Sequence, residues 1–142
     1  MNLVIVGCSS RKKFTTVPVP ALDLYEGGCV PHLRRRVGHL RALRSQVRIL
    51  SAEYGLVSPD RLLLPYDRRL TSDRARELCP ITAAVLEEEF ERNGRPVRAL
   101  VVAEPLYQSI VHAPLREIRL HLIDDPRDWA TTSKVLDSWN WP

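Results

Sequence analysis

The sequence is poor in the features that mark several common functional classes. It has only three cysteines, Cys8, Cys29 and Cys79. They are odd in number and form no CxxC pair, which argues against a disulfide framework and against a structural zinc site. Its four histidines, His32, His39, His112 and His121, are scattered without metal-ligand spacing, so neither a metal nor another cofactor is expected. The longest apolar runs, near Leu3–Val6 and Leu100–Ala103, fall far short of the ~20 residues that a membrane span needs. No basic stretch precedes the first apolar residues, so no signal peptide is expected and the default compartment is the cytoplasm. A Walker loop, a GxGxxG, an internal repeat and a low-complexity tract are all missing.

What is present describes one ordinary globular domain. At 142 residues, with 44% hydrophobic and 27% charged residues, the chain is long enough for a real core and too short for two domains of usual size. The formal net charge is +4, and much of it sits in Arg34, Arg35, Arg36, Arg41, Arg44 and Arg48. Such a cluster is either a face for nucleic acid or phosphorylated molecules, or the solvated face of a helix.

Leu3-Val4-Ile5-Val6 is a continuous aliphatic run ended by Gly7, the pattern of a strand buried on both faces in a parallel sheet. Cys8-Ser9-Ser10-Arg11-Lys12 follows at its carboxyl end, the edge where open α/β sheets bind ligands. Small residues, hydroxyls and positive charge suit a phosphate-cradling loop there. Val17-Pro18-Val19-Pro20-Ala21 is stiffened by proline and extended, and Leu22 to Gly28 runs into a turn at its paired glycines. Tyr25 in that segment either lines a pocket or caps the core.

Leu33, Val37, Leu40 and Leu43 recur at helical steps, predicting one amphipathic helix from Pro31 to Ser45 with its arginines outward. Val47–Ser51 is the second strand. Ser72 is expected to cap a helix running to about Asn93-Gly94, kinked or broken at Pro80. Glu77, Glu87, Glu88, Glu89 and Glu91 form its solvated face. Arg98–Ala103 is the third strand, followed by a short helix from Pro105 to Val111, a strand at Ile118–Ile123 and a last helix near Asp128–Ser138. Trp129, Trp139 and Trp141 either dock the tail onto the body or bind ligand. This alternation predicts the α/β class, a single three-layer domain over residues 1–142 with a mostly parallel sheet of about four or five strands.

The stretch from Arg48 to Asp67, RILSAEYGLVSPDRLLLPYD, mixes residue types in a way that a core element has no need of. It starts as a buried strand and breaks at a small-residue turn. Beyond the turn, a loop interrupted by Gly55 and Pro59 presents Glu53, Tyr54, Ser58, Asp60 and Tyr66 without a regular period. It is expected to meet the Cys8–Lys12 loop and form one pocket. The carboxyl edges of strands one, two and three would converge near Ser9, Ser10, Glu53, Tyr54 and Glu104. The candidate catalytic residues are Glu53, Tyr54 and Glu104. The candidate substrate-binding residues are Cys8, Ser9, Ser10, Arg11, Lys12, Tyr25, Gly55, Asp60, Tyr66 and Tyr107.

Leu24-Tyr25-Glu26-Gly27, the run from Ile49 to Leu56, and Pro59 followed by Pro65-Tyr66 resemble the YaaA-like superfamily. That group includes peroxide-stress proteins and short bacterial proteins that open with a Cys-Ser-x-x-Lys loop. The likeness runs in order from Leu3 to Leu70, with a weaker echo at Val102 to Tyr107. Cys8 to Lys12 also resembles the catalytic segment of archaeosine synthase, in which the lysine of a Cys-x-x-x-Lys motif is joined to a deazaguanine base in transfer RNA. Here Lys13-Phe14 stands in place of that family's Pro-Tyr or Pro-Phe, and its following Ser and His are missing. The resemblances imply an α/β fold, a base- or phosphate-binding loop and a link to nucleic acids or nucleobases.

Glu53 stands where the YaaA-like relatives commonly have lysine. A carboxylate at a strand end beside Tyr54 suits a nucleophile, or a stabiliser of the oxocarbenium-like centre that N-glycosidic cleavage creates. Asp60 or Glu104 would then move a proton or hold ribose hydroxyls. The other reading of Glu53 is a strand-end carboxylate paired with a nearby arginine. The expected function is therefore an enzyme that processes a nucleotide, nucleoside or modified nucleobase by N-glycosidic hydrolysis or base transfer. Ser9, Ser10, Arg11 and Lys12 would hold phosphate, and Tyr25 or Tyr54 would stack on the base. Two alternatives stand beside it. One is a DNA- or RNA-binding stress-response protein using Arg34, Arg35 and Arg41; the other is a small-molecule sensor without chemistry. No membrane partner is expected.

Overall fold

The computed structural model describes all of residues 1–142. Strand β1 (Asn2–Gly7) is flanked on both sides by parallel strands, β3 (Val47–Ser51) and β6 (Arg98–Val102). A strand paired along both edges and covered on both faces has no surface to show, and Leu3, Val4, Ile5 and Val6 are all at most 3% exposed. Strand β7 (Arg119–Ile123) adds parallel to β6, and β4 (Gly55–Val57) adds antiparallel to β3. The sheet order is β4-β3-β1-β6-β7, so the α/β domain with a mostly parallel sheet is the fold observed. A two-stranded antiparallel pair, β2 (Val19–Pro20) with β5 (Leu62–Leu63), forms a second sheet.

Because side chains alternate across a strand, the sheet sorts its residues into two cores. Val4, Val6, Ile49 and Leu100 share one with α1 (Ala21–Leu24), α2 (Val30–Val37), α3 (Arg41–Arg44) and α6 (Trp129–Ser138). Leu3, Ile5, Leu50 and Val101 share the other with α4 (Ser72–Asn93) and α5 (Pro105–Val111). These are the expected three layers. No helix is long and apolar enough to cross a membrane.

Several local expectations need correction. The helix expected from Pro31 to Ser45 is two helices, because the chain turns at Gly38 with φ of 52°. Leu40 is consequently exposed rather than on the core face. Pro80 does not break α4, which runs unbroken through it, and the N-cap is Thr71 rather than Ser72, its side chain accepting from the Arg74 N–H at 3.1 Å. The segment after Tyr54 is not all loop, since Gly55–Val57 returns along β3 as β4. The arginines of α2 are not all outward. Arg34 donates to the Leu22 and Asp23 carbonyls and pairs with Glu26. Glu89 is half-buried and pairs with Arg48 at 3.1 Å instead of facing solvent.

Arg36 holds the tail in place. Its guanidinium donates to Trp141 and Pro142 oxygens, both at 2.8 Å, to Ser133 and to Asp137. Trp139 and Trp141 are buried against the first core and Trp129 stacks on His32, so the tryptophans dock the tail. Arg36→Ala is expected to destabilise the fold by about 1–3 kcal/mol in urea unfolding. It should also make limited proteolysis begin in α6 and the residues after it.

Candidate functional site

The site begins where β1 ends. Cys8 donates its N–H to the Leu50 carbonyl at 2.9 Å, extending the β1–β3 ladder by one step. The chain then folds back beside residues 24–27. Lys12 bridges Tyr25 in antiparallel fashion, Lys13 N–H reaches the Leu24 carbonyl at 2.7 Å, and Glu26 N–H reaches the Arg11 carbonyl at 2.9 Å. The Ser9 hydroxyl donates to the Arg11 carbonyl at 2.7 Å and accepts the Gly27 N–H at 3.1 Å. Gly27 permits this approach, because a Cβ there would lie 2.9 Å from the Ser9 Cβ. The Ser9 hydroxyl, expected on phosphate, is thus committed to holding the loop. Ser10 and Arg11 are exposed beside it.

Beneath the loop lies a chain of buried hydroxyls. Ser51, the last residue of β3, accepts N–H bonds from Glu53 at 3.2 Å and Tyr54 at 3.0 Å, which shapes the turn into β4. A serine oxygen has two lone pairs, so both are used and its own hydrogen must go to the Tyr66 oxygen at 2.6 Å. Tyr66 then gives its hydrogen to the Tyr25 oxygen at 2.7 Å. Proton donation therefore runs one way, from Ser51 to Tyr66 to Tyr25. Burial raises the Tyr25 phenol from its ordinary 10.0 to about 12, and the hydrogen bond it accepts from Tyr66 opposes that rise. Tyr66 is pushed up as well, by burial first and then by charge at Cys8 and Tyr25. Tyr54 packs edge-on against Tyr66 with ring centroids 5.4 Å apart.

Lys12 covers this cluster. Its ammonium lies 4.3 Å from the Tyr66 ring centroid and 5.9 Å from that of Tyr25, and it donates to the Ser10 carbonyl at 3.4 Å. On the other side, the Cys8 thiol and the Tyr107 hydroxyl are 3.2 Å apart. The Tyr107 phenol is raised by burial and then by charge at Cys8. Glu104, one turn earlier, stands exposed at the N-cap of α5. The structure thus brings together Cys8, Lys12, Tyr25, Tyr54, Tyr66 and Tyr107. The rings pack together where the two stretches meet and make an aromatic shelf at the sheet edge.

Other candidates are held by different partners. The Glu53 carboxylate pairs with Arg68 at 3.6 Å, with both side chains more than one-third exposed, and its carbonyl accepts from Arg74 of α4. Gly55 serves the β3–β4 turn: it is buried with φ of 76°, and an added Cβ would sit 3.4 Å from Leu78. Asp60 is not at this edge. It pairs with Arg44 at 2.5 Å and lines a cleft of about 930 Å³ beside the amino-terminal ends of β1 and β3. That cleft is roomy, but its charge is nearly cancelled. Arg34, Arg41, Arg44 and Arg48 are set there against Asp23, Asp60 and Glu89. Sequence reasoning missed Ser51 and Gly27 as organisers of the site. A serine just before a turn and a glycine pair after Tyr25-Glu26 were the signals for them.

A family model matches residues 3–127, which takes in the sheet from its second residue onward and the shelf. The chain belongs to the DUF6884 family. The family is described as one of unknown function, and no curated protein matches this sequence. Helix α6 and the two tail tryptophans, Trp139 and Trp141, lie beyond the segment that the DUF6884 model covers.

Ser51→Ala would remove the acceptor for two turn N–H groups and the donor to Tyr66 at once. It is expected to cost about 1–3 kcal/mol in urea unfolding. A second expectation concerns alkaline pH. The buried Cys29 thiol is raised from 9.0 to about 11 and Tyr25 from 10.0 to about 12, each chiefly by burial. The folded chain therefore keeps protons that the unfolded chain releases, so stability is full below pH 9.0 and falls as pH rises through both windows. Denaturation across that range should show the fall, and Cys29→Ala should remove its earlier part.

Proposed function

We propose that the shelf at the carboxyl edge of β1 and β3 binds a nucleotide, nucleoside or modified nucleobase. We propose further that the chain acts on its N-glycosidic bond, by hydrolysis or base transfer. The observation that carries this reading is the Lys12 ammonium. It is half-buried over two phenol rings and takes part in none of the ion pairs of the chain. A cation held without a carboxylate suits an anionic oxygen of a ligand, and a phosphate supplies one. The rings of Tyr54 and Tyr66 at the same edge suit a flat base.

Glu53 directly precedes Tyr54 and its N–H is held by the Ser51 hydroxyl at the same edge, whereas Asp67, next to Tyr66, is exposed. Its pairing with Arg68 is solvent-exposed and of the kind worth only about 0–1 kcal/mol, so a substrate can displace it. When the C1′–N bond breaks, its electron pair leaves with the base and positive charge develops on the sugar, where a carboxylate stabilises it. Water or an acceptor base then adds to C1′, and the proton it loses balances the one the departing base takes up. In this reading Glu104, exposed at the N-cap of α5, would carry that proton. The likeness to YaaA-like proteins and a cytoplasmic setting belong to this same proposal. Binding of DNA or RNA to the arginine helix is the weaker one, because Arg34 and Arg36 are tied to backbone oxygens and carboxylates. Arg35 and Arg41 are the exposed pair that would have to serve it.

Mass spectrometry of incubations with nucleoside monophosphates, nucleosides and deazapurine analogues tests the reading. Wild type is expected to release free base. Glu53→Gln should lose that turnover by roughly 100-fold or more while keeping ligand affinity. Lys12→Gln should weaken monophosphates about 10- to 100-fold and leave nucleosides little changed. Absence of base release from every compound would rule out the glycosidic reaction, and equal loss of binding and turnover in Glu53→Gln would remove Glu53 from it.

A further inference from the structure

We infer that the outer edge of β7 is a self-association surface, occupied by a second copy of this chain paired antiparallel about His121. The two end strands of the sheet differ sharply. In β4 all three residues are buried, whereas in β7 only Ile123 is, and Leu122 is 48% exposed. The Ile123 carbonyl accepts from Ala103 N–H, so Ile123 turns its backbone groups toward β6. By the alternation of a strand, Leu120 and Leu122 aim their N–H and C=O groups at the open edge. Arg119-Leu120-His121-Leu122-Ile123 holds no proline, lysine or bulge, and its one formal charge, Arg119, sits at its first residue, so the edge from Leu120 to Ile123 is left without the usual protections.

The strand is also complementary to itself. With the two-fold axis at His121, Leu120 of one copy lies opposite Leu122 of the other, and the outward backbone groups of each such pair meet. The leucines then gather on one face, next to a groove of about 300 Å³ between α5 and β7 that Val111 also lines. On the opposite face, Arg119 lies diagonal to Asp125 of the second copy, two residues past the end of β7, and would share the carboxylate that already accepts from Arg127; the symmetry repeats that contact. Shifting the axis to Leu122 would set Leu120 against Asp124. Shifting it to Leu120 would lose the Arg119–Asp125 contact. Charge and apolar pattern thus favour one register.

Light scattering on the eluting full chain over a range of concentrations tests the inference, with thermal melting as the check on folding. Wild type is expected to be dimeric. Leu122→Glu should be monomeric with unchanged melting of the monomer, because Leu122 already faces solvent there. Arg119→Asp should weaken association roughly tenfold, and Arg119→Asp combined with Asp125→Arg should restore it. A wild type that stays monomeric throughout overturns the inference. So does a dimer that Leu122→Glu leaves intact, or a double swap that restores nothing.

Discussion

Most of this structure follows from how β1 is buried. A strand with partners on both edges and helices on both faces contributes alternate residues to two separate cores, Val4 and Val6 to one, Leu3 and Ile5 to the other. Helices must then cover both faces. Their connections bring β3 and β6 alongside β1 with the same polarity, so three strands end at one edge. The edge is tight as well as shared. A Cβ on Gly7 would lie 3.1 Å from the Ala103 Cβ, so the ends of β1 and β6 approach as closely as a missing side chain allows. The chain leaves β1 into a space that other strands have already defined, and that space is where the loop from Cys8 to Lys12 sits.

The polar groups at this edge obey a different constraint. Burying phenols and a serine hydroxyl is costly unless each finds a partner. Ser51, Tyr66 and Tyr25 meet that demand among themselves, with the two turn N–H groups setting the direction of donation. The chain of hydroxyls serves the turn into β4 and the aromatic floor of the shelf together. Lys12 above it contrasts with the arginines on the far side of the domain. Arg34, Arg36, Arg44 and Arg48 each have a carboxylate partner, while Lys12 has only aromatic faces and one carbonyl. Net charge drew attention to the arginines. The local balance of charge draws it to the lysine instead.

Residue pattern alone was enough for the α/β class, the strands around Leu3–Val6, Val47–Ser51 and Arg98–Val102, and the helix of residues 105–111. It was enough for the long helix ending at Gly94, while the choice between docking and ligand binding for the tail tryptophans needed their burial against the core. These depend on periodicity and on local punctuation by glycine and proline, which a linear string carries in full. Residue pattern also singled out Cys8, Lys12, Tyr25, Tyr54, Tyr66 and Tyr107, because chemistry-bearing side chains at strand ends stand out against apolar runs.

Tertiary structure alone decided which of those residues meet. Asp60 follows Glu53 closely in sequence, yet β4 reverses the chain between them and carries Asp60 to Arg44 at the other side. The helix expected from Pro31 to Ser45 divides at Gly38, a backbone choice that apolar spacing does not encode. Arg34 and Arg36 look like a free basic face until the carbonyls of α1 and the tail are laid against them. The physical reason is common to all three. Periodicity reports which face of an element is apolar, whereas hydrogen bonds and ion pairs are set by contacts between residues far apart in the chain.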